Sequence, residues 1–167
     1  MLQKGPHHEN NPIAEIRIAE ILLVDDNDND NDNEDEDDVY LTREAFESAS
    51  LKVNLRHVDN GEKSLQFLRK ERPYTGVPSP DLILLDMHMP VMDGHEVLKE
   101  IVKDDKLRHL PVVVLTTSYE AADIQKMCGL RCNSYITKPV DFDKFVKAIS
   151  QLTGYWLTVV VTPESVV

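Results

Sequence analysis

Residues 81–94 read Asp81-Leu82-Ile83-Leu84-Leu85-Asp86-Met87-His88-Met89-Pro90-Val91-Met92-Asp93-Gly94. Four consecutive apolar residues end abruptly in a carboxylate, and a Pro-containing turn follows. A short unbroken apolar run predicts a strand covered on both faces, as in a parallel sheet with helices on each side. The same grammar recurs outward from this stretch. Ile21-Leu22-Leu23-Val24 stops at Asp25-Asp26, Val112-Val113-Val114-Leu115 stops at Thr116-Thr117-Ser118, and Tyr135-Ile136 leads to Lys138-Pro139. Val53-Asn54-Leu55-Arg56-His57-Val58 is more mixed and reads as an edge strand.

Amphipathic segments separate these runs. Leu41, Ala45 and Phe46 share a face over 39–49, as do Leu65 and Leu68 over 62–70. Val97, Leu98, Ile101 and Val102 do so in a helix that begins near Gly94, and Phe145, Val146, Ile149 and Leu152 do so over 143–152. A weaker helix is expected at about 120–127. These spacings are helical. The order is βα repeated five times, which predicts an α/β fold with a doubly wound parallel sheet. Ligands bind such sheets at the carboxyl ends of the strands. Asp25, Asp26, Asp86, Thr116 and Lys138 all fall there.

The chemistry of that set is restrictive. Three carboxylates a few ångströms apart repel unless a cation compensates. Oxygen ligands suit Mg²⁺ or Ca²⁺, and Mg²⁺ also accepts phosphate oxygens. A carboxylate can act as a nucleophile and become an aspartyl-phosphate. Asp86 would attack, while Lys138 and Thr116 bind the remaining phosphoryl oxygens. An Asp pair after a strand is also an ordinary turn or cap feature. What favours chemistry is that every one of these groups ends a successive predicted strand.

The 167 residues suit one domain with short extensions. The net charge of −12 argues against a nucleic-acid surface. Most of it is local, because residues 25–38 carry ten carboxylates and no base. The start has no apolar core of signal-peptide length, and no run reaches a membrane span, so a cytoplasmic protein is expected. Cys128 and Cys132 are spaced for one helical face, but no second pair of zinc ligands is evident, and packing is the better reading.

Together the segments 21–27, 81–90, 92–94, 111–118 and 135–139 resemble the response-regulator receiver family, over roughly residues 19–153. The resemblance implies a flavodoxin-like five-stranded sheet in the order 2-1-3-4-5. It implies a two-component switch phosphorylated on Asp86 by a sensor histidine kinase in a Mg²⁺-dependent reaction, and no enzyme activity beyond its own phosphorylation and dephosphorylation. Asp26 would ligate the metal directly, Asp25 through water, and His88 through its backbone carbonyl. Thr116 and Tyr135 would be the switch residues, and Lys138 the phosphate-binding lysine, aimed by a cis bond to Pro139. Gly94 would supply a backbone conformation unfavourable to other residues. The segments 77–81, 115–118 and 154–157 further resemble stand-alone regulators that partner bacterial phytochrome kinases. In that group the fourth helix, fifth strand and fifth helix can form a homodimer face.

Residues 1–18 read as a flexible arm, 19–153 as the receiver, and 154–167 as an apolar tail, either folded back on the domain or, the favoured reading, buried between subunits. About fifteen residues follow the last predicted helix, which leaves no room for an output domain, so output through protein contact or phosphorelay is expected. The acidic run 28–37 departs from the family. Asp26, Asp28 and Asp30 imitate the start of a calcium loop, but Asn31 stands where Gly is needed and Asp37 where Glu is needed. A solvated insertion is the better reading, and its field should draw cations and oppose anionic phosphodonors. His88 and His95 are weaker candidates for a metal or proton-relay role. A hydrolase of the haloacid-dehalogenase type would want a second Asp two residues past the nucleophile, where His88 stands. A silent acidic calcium binder is the third reading.

Overall fold

The apolar runs of the three inner strands are continuous because a helical layer packs against each of their faces. The computed structural model describes residues 18–26, 38–49, 51–116, 129, 134–137 and 142–154. Strands β1 (Ala19–Val24), β2 (Val53–Val58), β3 (Leu82–Asp86), β4 (Val112–Thr116) and β5 (Ser134–Thr137) alternate with helices α1 (Asp38–Ser48), α2 (Gly61–Leu68) and α3 (Gly94–Lys103), and α4 (Phe142–Gly154) follows β5. The strands form one parallel sheet in the order β2-β1-β3-β4-β5. This is the doubly wound arrangement expected from the alternation. The helix anticipated at 120–127 lies outside the described residues.

Side chains alternate across a strand, so two cores divide each apolar run between them. Leu22, Val24, Ile83, Leu85, Val112 and Val114 pack with Leu65 and Leu68 of α2 and with Val97, Leu98 and Ile101 of α3. Ile21, Leu23, Leu82, Leu84, Val113 and Leu115 pack with Ala45 and Phe46 of α1 and Phe145 and Ile149 of α4. No position in these runs faces water, which is why none is polar. β2 is an edge strand, as its mixed sequence suggested. Its Asn54 and Arg56 reach Glu20 of β1, at 2.9 and 3.2 Å. Charged groups of this kind suit a sheet edge.

Two local devices fix the functional rim. Asp81 accepts from the Glu20 amide at 2.8 Å, and its own amide donates to the Glu20 carbonyl at 2.7 Å. That pair locks β1 against β3 in the register Ile21↔Leu82 to Val24↔Leu85. The residues after Val24 therefore arrive beside Asp86. Helix caps set where the neighbouring loops end. Asn60 accepts from the Lys63 amide at 2.8 Å to start α2. Asp93 and Glu96 exchange side-chain-to-backbone bonds at the start of α3. Each cap satisfies amides that the first helical turn leaves without an intrahelical partner.

Candidate functional site

Asp25, Asp26 and Asp86 converge at the rim, and one carboxylate oxygen from each lies within 4.8 Å of the others. Asp25 and Asp86 are buried, and Asp26 is half-buried. The strand register accounts for the meeting. β1 and β3 are adjacent and parallel, so residues following equivalent positions share one end of the sheet. The Asp86 carboxylate is oriented locally, because its Oδ1 accepts from the His88 backbone amide at 3.1 Å. The Met87 amide donates to the Leu115 carbonyl at 3.0 Å, which holds the β3 terminus against β4.

Thr116 ends β4 and is fully buried. Asp86 pairs with Leu115, so Thr116 follows directly across the β3–β4 ladder from the acidic cluster. Thr116 in turn pairs with Thr137, the last residue of β5. Lys138 and its bond to Pro139 lie outside the described residues, as do Asn27, Cys128, Cys132 and most of the acidic run. Tyr135 is 42% exposed and is not gathered into the cluster. The His88 side chain is exposed, while His95 is half-buried on α3.

Gly94 requires a different explanation from the conformational one. It has no positive φ. Its role is close approach: an added Cβ would stand 2.9 Å from the Met87 Cα, 3.1 Å from the Asp86 carbonyl carbon, and closer still to the Asp86 carbonyl oxygen. The Gly94 amide also donates to the Met87 carbonyl at 3.1 Å. The start of α3 thus rests directly on the backbone that carries Asp86. The unusual conformation in this loop belongs to Val91, which has a φ of 67° and is 98% exposed. A β-branched residue in that region is strained.

Several residues of the site escaped the sequence reading. Asp26 borders an open cleft of about 290 Å³ that is also lined by Asp59, Asn60, Gly61, Pro90, Val91 and Met92. Asn60-Gly61 marks the true start of α2, one residue before Glu62, and an Asn ahead of a helical pattern was the available signal. Gly61 packs tightly under the cleft, where a Cβ would lie 2.8 Å from Met92 and from Val97. The Lys63 ammonium bonds Asp59 at 2.8 Å and holds that carboxyl below its usual range. His57 reaches the Asp25 carbonyl with Nε2 at 2.7 Å, a contact that strand pattern alone cannot reveal.

An all-oxygen, three-carboxylate set fits a hard divalent cation and is a poor match for soft or imidazole-preferring metals. Comparison with known proteins points the same way. The response regulator receiver domain model matches residues 21–150. Response regulator Rcp1 of Synechocystis sp. is 34% identical over 145 residues, covering 87% of this chain and 93% of its own. Among solved structures, the phosphorylated cyanobacterial phytochrome response regulator RcpA superposes with a TM-score of 0.76 at 34% identity, covering 88% of this chain and 99% of its own. The Mn²⁺-bound form of Rcp1 gives 0.73 at 33% identity, covering 87% and 99%.

Proposed function

We propose that this chain, which belongs to the response regulator receiver domain family, is a phosphorylation switch whose phosphoacceptor is Asp86. The observation that carries the reading is the convergence of Asp25, Asp26 and Asp86 at the end of the sheet. A carboxylate oxygen of Asp86 attacks the phosphorus of a phosphohistidine on a sensor histidine kinase. A P–O bond forms, the P–N bond breaks, and the leaving imidazole recovers a proton from solvent. A Mg²⁺ held by Asp25, Asp26, Asp86 and the His88 carbonyl would supply charge neutralisation for the phosphoryl oxygens.

The chain's own groups do the rest. The His88 amide keeps the Asp86 carboxylate from rotating. Lys138 and the Thr116 hydroxyl bind phosphoryl oxygens. As Thr116 is drawn toward the new charge, Tyr135 leaves its half-exposed position and turns inward, changing the surface around β5. This is a population shift driven by differential contacts in the two states. The only chemistry is the chain's own phosphorylation and dephosphorylation.

The name of the solved relative RcpA, a cyanobacterial phytochrome response regulator, suggests a bacterial phytochrome as the kinase partner. We assign output to protein contact or phosphorelay, with a homodimer through the segment 120–127, β5, α4 and the apolar tail. The receiver is taken as 19–153, between an arm at 1–18 and the tail at 154–167. Among the described residues no helix is long and apolar enough to cross a membrane. Beryllium fluoride tests the site reading. With Mg²⁺ it should bind the parent protein stoichiometrically and shift the Tyr135 and Thr116 resonances, and Asp86→Asn should abolish both effects. Binding that survives Asp86→Asn, or turnover of a general phosphomonoester, would contradict it.

A further inference from the structure

We infer that His57 is a positioning residue for the acidic centre, acting through the backbone of Asp25. This rests on the reading of Asp25, Asp26 and Asp86 as a divalent-metal site. His57 stands one residue before the end of β2, opposite Leu23 of β1. Its Nε2 lies 2.7 Å from the Asp25 carbonyl oxygen. A carbonyl can only accept, so Nε2 carries the proton and donates. The amide of the same residue donates to the Val58 carbonyl at 3.2 Å. Both backbone polar groups of Asp25, the first residue beyond β1, are therefore tied to β2.

The consequence follows from peptide planarity. The Asp25 carbonyl and the Asp26 amide belong to one rigid plane. Holding that oxygen fixes how the plane is turned. With the Asp25 amide also held, it sets the direction in which the Asp25 side chain leaves the chain and restricts that of Asp26. Mg²⁺ demands near-ideal octahedral geometry and tolerates misdirected ligands poorly. The imidazole is exposed, so packing does not explain its placement. The clamp acts on the backbone at the point where the long acidic run departs. Groups that orient metal ligands without touching the metal typically change affinity by about tenfold or more.

The test uses two variants of the full chain. His57→Phe keeps a ring and removes the donor, and His57→Gln keeps an N–H donor on a side chain of similar reach. Mg²⁺ dissociation constants come from calorimetric titration at fixed ionic strength, with Asp86→Asn as the reference for the site itself. The ¹⁵N shift of the Asp26 amide in metal-free protein reports the peptide plane directly. The inference predicts about tenfold weaker Mg²⁺ binding and a moved Asp26 resonance in His57→Phe. It predicts recovery of both toward the parent values in His57→Gln. Equal Mg²⁺ affinity in His57→Phe and the parent would overturn the inference while leaving the metal site standing. Equal weakening in both variants would also overturn it, by assigning the effect to the ring. A parent protein whose Mg²⁺ binding is absent or indifferent to Asp86→Asn would remove the metal-site reading itself.

Discussion

Replacing Asp86 with Asn removes one of three negative charges whose oxygens converge within 4.8 Å. At that separation each like-charge pair is unfavourable by about 0.9 kcal/mol in bulk water and about 3.5 kcal/mol at an effective dielectric of 20. Asp86 takes part in two of the three pairs. Two of the carboxylates are buried and Asp26 is half-buried, so bulk water gives the lower figure, about 2 kcal/mol for the two pairs. An Asn oxygen can still accept from the His88 amide, so the local bond at 3.1 Å survives. The metal-free variant should therefore be more stable than the parent, by a rise in Tm of about 4–8 °C for a chain of this size. Mg²⁺ should reverse the order of response. At ten times its Kd the ion stabilises the parent by about 1.4 kcal/mol, and it should leave the variant almost unmoved. Thermal unfolding by circular dichroism, in low-salt buffer with chelator and then with Mg²⁺, measures both. A metal-free Asp86→Asn protein that melts at or below the parent, or that gains as much from Mg²⁺, would refute the electrostatic reasoning.

Gly94→Ala should destabilise the protein by about 1–3 kcal/mol, because its Cβ meets backbone rather than a yielding side chain, and denaturant unfolding would show it. The same variant should weaken Mg²⁺ binding, since the atoms it displaces flank Asp86. Lys63→Ala should raise the Asp59 pKa toward the ordinary carboxylate range, because the Lys63 hydrogen bond is the main cause of its depression. A depressed carboxyl contributes stability above its unfolded pKa and loses it as pH falls through the folded value. The pair is so exposed that added salt should shrink the effect, and an NMR titration of Asp59 checks both points. Deleting residues 28–35 should weaken nonspecific cation binding and speed phosphorylation by anionic small donors at low salt. Unchanged rates would remove the steering role of that run.

Some of this was legible before any coordinates, for identifiable reasons. The runs 82–85 and 112–115 are apolar at every position because two helical layers cover the sheet, and that pattern has few other solutions. Arg56 and Asn54 betrayed β2 as an edge because only an edge leaves room for their partner Glu20 at the surface. Asp25, Asp26 and Asp86 could be grouped because parallel strands end on one side. What stayed hidden depends on distance between segments far apart in the chain. The His57 bond to the Asp25 carbonyl needs the β1–β2 register, which the sequence of the crossover 25–52 does not dictate. Gly94 was legible as special, but the cause was contact with Asp86 and Met87 rather than backbone freedom. The strain at Val91 carries no sequence signal, because Val is among the residues least suited to it.

Incubation of the parent chain with acetyl phosphate and Mg²⁺, followed by intact-mass measurement, bears most directly on the phosphoacceptor assignment. The account predicts a single phosphoryl adduct that requires the metal, disappears with chelator and is absent from Asp86→Ala. An adduct that persists in Asp86→Ala, or that forms equally without a divalent ion, would contradict it.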